Sequence, residues 1–196
     1  MKIRTLLLLM CFLLVLSQFF VPNYHISAGL YSDDPDIFQP IVKDLQIPDL
    51  VSNTPSPWYT KIEGSAVAML APDGFLVSVD SHGFDKNRDT SINIVEERNS
   101  GFSLYRKTIA SKLAQLDSYS PQDVTLLYSK DFRFDGYDAT ALYLYDRHNH
   151  LTYIFMAFGD EHFSVTMRGT CHAQDTNGRD AILSAMLTAS YDRGRA

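Results

Sequence analysis

Between Phe132 and Thr170 apolar and polar residues alternate in three successive runs, and turn residues separate them. A period of two predicts antiparallel strands. In the first run Tyr137, Ala139, Ala141, Tyr143 and Tyr145 point one way, and Asp138, Thr140, Leu142 and Leu144 point the other. The turn Asp146-Arg147-His148-Asn149-His150 leads into a nearly continuous apolar strand, Leu151 to Phe158. Gly159-Asp160 then turns the chain back onto His162 to Met167. Upstream, the same pattern predicts a strand in Gly64 to Pro72, a turn at Pro72-Asp73-Gly74, and a returning strand, Phe75 to Asp80. A polar loop, Ser81 to Asp89, precedes a third strand, Thr90 to Glu97. After the break at Asn99-Ser100-Gly101, Tyr105, Ile109, Leu113 and Leu116 recur at helical spacing, with Ser103 as a cap. Val124 to Phe134 is a further strand, and Asp135-Gly136 is a hairpin pair. A last helix runs from Asp175 or Thr176 to Tyr191, with Ile182, Leu183, Met186, Leu187 and Ser190 or Tyr191 as its buried stripe.

Strands joined by short turns, with helices set apart, define an α+β domain. The expectation is an antiparallel sheet of about six or seven strands flanked by two main helices. The domain proper spans residues 61–193, with 194–196 as a tail. Residues 29–60 are a lead-in. Asp34-Pro35 opens a short helix there, with Ile37, Phe38, Ile41 and Leu45 on one face. Pro55 and Pro57 mark a connecting segment, and Trp58 and Tyr59 are expected to tuck onto the domain edge.

The start of the chain follows a different pattern. Lys2 and Arg4 precede an uncharged apolar run, Leu6 to Phe20, and a short polar tail to Ala28. This is the layout of a secretory signal peptide over residues 1–28, cut ahead of Gly29. The run is short for a membrane span, and an uncleaved anchor is the alternative. Removing it leaves 15 basic against 23 acidic residues, a net charge of −8. That balance disfavours nucleic acid and anionic lipid as partners. Contact with a membrane is then expected only through an uncleaved leader. Cys171 would be the one cysteine left, so the exported chain has no internal disulfide. It reads as a half-buried small hydrophobe rather than a reactive thiol.

The stretch SAVAMLAPDGFLV, the mid-domain helix, the hairpin entry FDGYDATALYLY and the ending YIFMAFGDEHFSVTMRGT with its helix ILSAMLTASYD resemble the PsbP/DcrB-like family over residues 62–193. The resemblance implies an antiparallel sheet between helices and a non-catalytic assembly, adaptor or envelope-binding role. No functional residue transfers from it one by one. The long lead-in before Trp58 departs from the family pattern.

Candidate chemistry is sparse. Asp85, Asn87, Asp89 and Glu96 have the spacing of an EF-hand calcium loop, but Thr90 stands where glycine permits the sharp turn and neither flank reads as a helix. A polar loop leading to a strand with Ile92 and Ile94 facing the core is the preferred reading, and calcium is the sole cofactor candidate. His148 and His150 sit two apart beside Asp146, and His162, His172 and Cys171 approach them only if loops fold together. No nucleophile elbow, glycine-rich phosphate loop or His-Glu-x-x-His helix is present in the sequence, so an enzyme is not expected. Tyrosines are the more informative excess. Tyr137, Tyr143 and Tyr145 would form a partner-binding surface if one sheet face were left open, with core packing as the competing reading. The function these patterns favour is an exported, non-enzymatic envelope protein, periplasmic or secreted, that holds a protein partner. The alternatives are an immunity protein neutralising a secreted toxin, whose acidity suits a basic cleft, and a metal-dependent hydrolase.

Overall fold

The computed structural model describes residues 46–54, 56–79, 81–107, 109 and 124–192. The leader, the lead-in helix after Asp34, the part of the mid-domain helix approaching Leu116 and the tail lie outside the described residues. The strands are β1 (Leu50–Val51), β2 (Thr60–Lys61), β3 (Val67–Met69), β4 (Leu76–Val77), β5 (Gly83–Asn87), β6 (Thr90–Arg98), β7 (Val124–Phe134), β8 (Tyr137–Asp146), β9 (Leu151–Gly159), β10 (Phe163–His172) and β11 (Ser190–Tyr191). Helix α1 is described over residues 102–107 and 109, and α2 spans Thr176–Leu187.

The main sheet has eight strands in the order β1-β7-β8-β9-β10-β6-β5-β4, and a small three-stranded sheet has the order β11-β3-β2. All neighbours are antiparallel except β1 and β7, which run parallel. The sheet is therefore larger than the six or seven strands expected, and mixed. The additional strands come from segments whose patterns are too short or too polar to signal one. β1 is two residues of the lead-in, and β5 lies in the expected polar loop, where Phe84 is its one large apolar side chain. Gly83 is needed in β5 because a Cβ there would overlap the Ile92 carbonyl oxygen. The strand expected in Gly64 to Pro72 forms, but in the small sheet.

Pairing registers assign the faces. Across the main sheet Tyr143 lies beside Ile154, Ile154 beside Gly169, and Gly169 beside Ile92. This face carries the core: Tyr143, Phe84, Phe134, Phe158, Ile92, Ile94, Ile154, Met156 and Met167 are each under 2% exposed. Helix α2 packs on it through Ile182 and Met186, and Gly169 is the point of closest approach, since a Cβ there would overlap Ile182 Cγ2. The small sheet adds Val67 and Met69 to the same core. On the other face Leu142, Leu144 and Thr140 are buried as well, and α1 contributes Phe102 and Tyr105 there, the latter beside Thr166. Burial pushes the Tyr105 hydroxyl up to about 12.

The end of α2 differs from the sequence reading. The helix stops at Leu187, where the Thr188 hydroxyl donates to the Ala185 carbonyl at 2.7 Å. Ser190 and Tyr191 turn into β11 and pair with Ala68 and Val67. Residues 46–54 are equally built in. Asn53 Nδ2 donates to the Leu187 and Ala189 carbonyls at 2.8 and 2.7 Å, and Lys130 Nζ pairs with Asp49 at 2.7 Å.

Candidate functional site

The tyrosines singled out by the sequence lie mostly inside. Tyr143 and Tyr145 are 0% and 8% exposed and belong to the core, so the partner-binding reading is corrected for both. Tyr137 is half-buried, 5.1 Å from the Phe163 ring and 6.2 Å from the Tyr191 ring. The physical reason is that both sheet faces are covered, which leaves no open row of aromatics at the centre. Burial pushes the Tyr143 hydroxyl up to about 12, with Thr152, Cys171 and Arg179 as its surroundings. Cys171 is buried, its thiol 3.2 Å from Thr152 Oγ1 and pushed by burial to about 11, which is the behaviour of a packed thiol and not of a nucleophile.

The four calcium candidates are not brought together. Asp85 and Asn87 lie on β5, Asp89 is in the tight turn to β6, and Asn87 pairs across that turn with Thr90. Asn87 Oδ1 accepts from the Asp89 amide at 2.9 Å, which fixes the turn. Glu96 lies six residues further along β6, roughly 20 Å from Thr90 at strand rise. Its carboxylate accepts from Ala66 N at 2.8 Å, Ser65 Oγ at 3.1 Å, Tyr191 OH at 3.1 Å and Arg98 Nε at 3.0 Å. A hairpin has replaced the loop that ligand convergence would need, so the calcium-loop reading is corrected too. The histidines divide between the two ends of the sheet. His148, His150 and His172 lie near the β8–β9 turn, where the Ala173 amide donates to the His150 carbonyl at 2.9 Å, and His162 lies in the β9–β10 turn. Among the described residues no three His, Cys, Asp or Glu side chains converge as ligands.

Two surface features stand out among the described residues. One is a cleft of about 270 Å³ where the β7–β8 and β9–β10 turns meet the start of α1. Arg133, Asp138, Asp160, Glu161 and Tyr137 line it, and Arg133 is paired with Asp138 and donates to the Gly136 carbonyl. Asp160 Oδ1 accepts from the His162 amide at 2.8 Å and shapes the adjoining turn. The other feature is apolar. Trp58 is 82% exposed, at the open end of the β2–β3 pair, and Leu70, just past β3 at that same end, is 39% exposed. It does not tuck onto the domain as expected, because Pro57-Trp58 forms a projecting turn in which the Tyr59 amide donates to the Ser56 carbonyl at 3.0 Å. Leu76, Val77 and Val79, on and just after β4, are also exposed. The pattern FLVSV gives no warning of this, since an apolar strand reads alike at a sheet's centre and at its edge.

No protein-family description and no curated protein matches the chain. Among solved structures, the chain is similar to the solution structure of cyanobacterial PsbP (CyanoP) from Synechocystis sp. PCC 6803. The match has 9% identity and a TM-score of 0.49, and covers 68% of this chain and 91% of that one.

Proposed function

We propose that this chain is an exported, non-enzymatic protein of the cell envelope that holds a protein partner through the surface around Trp58. The observation that carries the reading is an exposed indole in a domain whose other large aromatics are mostly packed. Aromatic anchors dominate interface energies, and a projecting tryptophan is a common form of such an anchor. The leader-like start supports export, and the acidity of the remaining chain is consistent with a protein rather than a nucleic-acid partner. A photo-crosslinking amino acid at position 58, followed by mass spectrometry of envelope extracts, tests the reading. One recurrent partner, lost when Trp58→Ala is carried elsewhere in a chain with the crosslinker at Leu70, supports it. A chain found intact in the cytosol, or one that crosslinks to nothing, overturns it.

The immunity reading draws on the cleft, where Asp138, Asp160 and Glu161 present carboxylates suited to a basic toxin surface. It requires a single tight partner whose activity is lost on binding, and the Asp138→Asn, Glu161→Gln double variant would weaken that binding tenfold or more while Trp58→Ala would not.

A further inference from the structure

We infer that two copies of this chain associate through the free edge of β4, pairing antiparallel about a two-fold axis normal to the sheet. The inference goes beyond the Trp58 reading and is independent of it. β4 is the outermost strand of the main sheet, and its pairing is with β5 alone among the described residues. Neighbouring residues on a strand point to opposite faces, so exposure of both Leu76, at 77%, and Val77, at 54%, means that neither face is covered there. Val79 beyond them is 97% exposed.

The core face supplies the continuity. Gly169 lies beside Ile92, Ile92 beside Phe84, and Phe84 beside Val77, in one row across four strands. Ile92 and Phe84 are fully buried, and at Val77 the row stops with half of its side chain in water. A strand added along β4 would carry this row onward. Leu76-Val77-Ser78-Val79 has no lysine, no proline and no charge, so the one guard this edge keeps is the shortness of β4, two residues.

Charge selects the occupant. The chain is acidic overall, yet this strand offers no carboxylate to a basic partner. It suits another uncharged strand, and its own copy is one. A two-fold axis normal to the sheet keeps every residue on its own face, so the register must centre on a residue. Centred on Val77, that residue meets its counterpart, Leu76 meets Ser78, and Phe75 meets Val79. No acid then faces an acid across the seam, and the remaining repulsion between two acidic bodies is screened by salt. The seam is short, so the association belongs to micromolar rather than nanomolar protein.

Sedimentation velocity of the purified protein from low to high micromolar concentration tests this. The expected result is a monomer that becomes a dimer with rising concentration, a shift that Val77→Lys abolishes and Leu126→Lys, at an exposed apolar site elsewhere, leaves in place. Val77→Cys would close an intermolecular disulfide under mild oxidation, several-fold faster than Leu126→Cys, because the counterpart positions meet on the axis. The disulfide readout stands even if Val77→Lys fails to fold. A monomer at every concentration, equal oxidation rates for the two cysteine variants, or a dimer that survives Val77→Lys would overturn the inference. So would a strand of another protein captured on β4 in a chain that stays monomeric.

Discussion

Glu96 is the residue on which most polar contacts between the two sheets converge. It belongs to β6 of the main sheet, but its side chain, 4% exposed, accepts from Ala66, Ser65 and Tyr191 of the small sheet and its flanks. Burial raises its carboxyl, and the donors from Ala66, Arg98, Ser65 and Tyr191 outweigh this and hold it below its ordinary value of 4.5. Because the folded value is lowered, ionised Glu96 stabilises the fold fully above about 4.5, and the contribution is lost as pH falls through the folded value. Glu96→Ala strands the donors of Ala66, Ser65 and Tyr191, while the exposed Arg98 turns to water, and is expected to cost about 2–3 kcal/mol in urea unfolding at neutral pH. The gap between wild type and Glu96→Gln should close on acidification below pH 4, and a gap that persists there would show the charge to be irrelevant. Gly169 is the second such residue. Gly169→Ala would push Ile182 off the sheet, an overpacking cost of about 1–3 kcal/mol read as a lower midpoint with an unchanged slope. Neither role was visible in the sequence, where Glu96 matched a calcium spacing and Gly169 was an unremarked position between polar neighbours. Their partners are distant in the chain, 30 residues for Ala66 and 95 for Tyr191, and only folding brings them together.

At the scale of elements, the long strands β7 to β10 and helix α2 were legible because each has enough residues for its period to show. β1, β2 and β11 are two residues each, too short for any period, and exist because a neighbouring strand offers them a register. Asn53 shows how one of these short segments is fixed. Its side-chain amide caps carbonyls at the end of α2 while its backbone amide donates to Asp135 Oδ1 at 2.6 Å, which ties β1, the β7–β8 turn and α2 into one corner. Asn53→Ala should lower stability by about 1–2 kcal/mol. Asn53→Asp should cost more, since it sets a carboxylate against two carbonyl oxygens, and thermal melts that rank the two variants the other way would reject the capping role. Deleting residues 46–54 should destabilise the whole domain, because this segment is a strand of the sheet and not a tether.

For the whole molecule, the covered faces of the sheet decide which side chains are available to a partner. Trp58→Ala is expected to leave the melting temperature within about 1–2 °C, since an exposed side chain away from caps and cores contributes within about ±0.5 kcal/mol. A larger drop would mean that the indole packs against the protein itself. By contrast, Tyr143→Ala should be disruptive, at about 3–5 kcal/mol for a fully buried aromatic. What the amino-acid order determined by itself is local: the alternation that makes β8, β9 and β10, the spacing that makes α2, the inward direction of Ile92 and Ile94, and the net acidity. Each of these follows from a residue and its near neighbours. The tertiary structure alone decided that Tyr143 and Tyr145 lie in the core, that β4 is an edge among the described strands, that Glu96 joins two sheets and that Trp58 faces water. Burial depends on what covers a residue, and the covering groups come from parts of the chain whose distance in sequence carries no record of the contact.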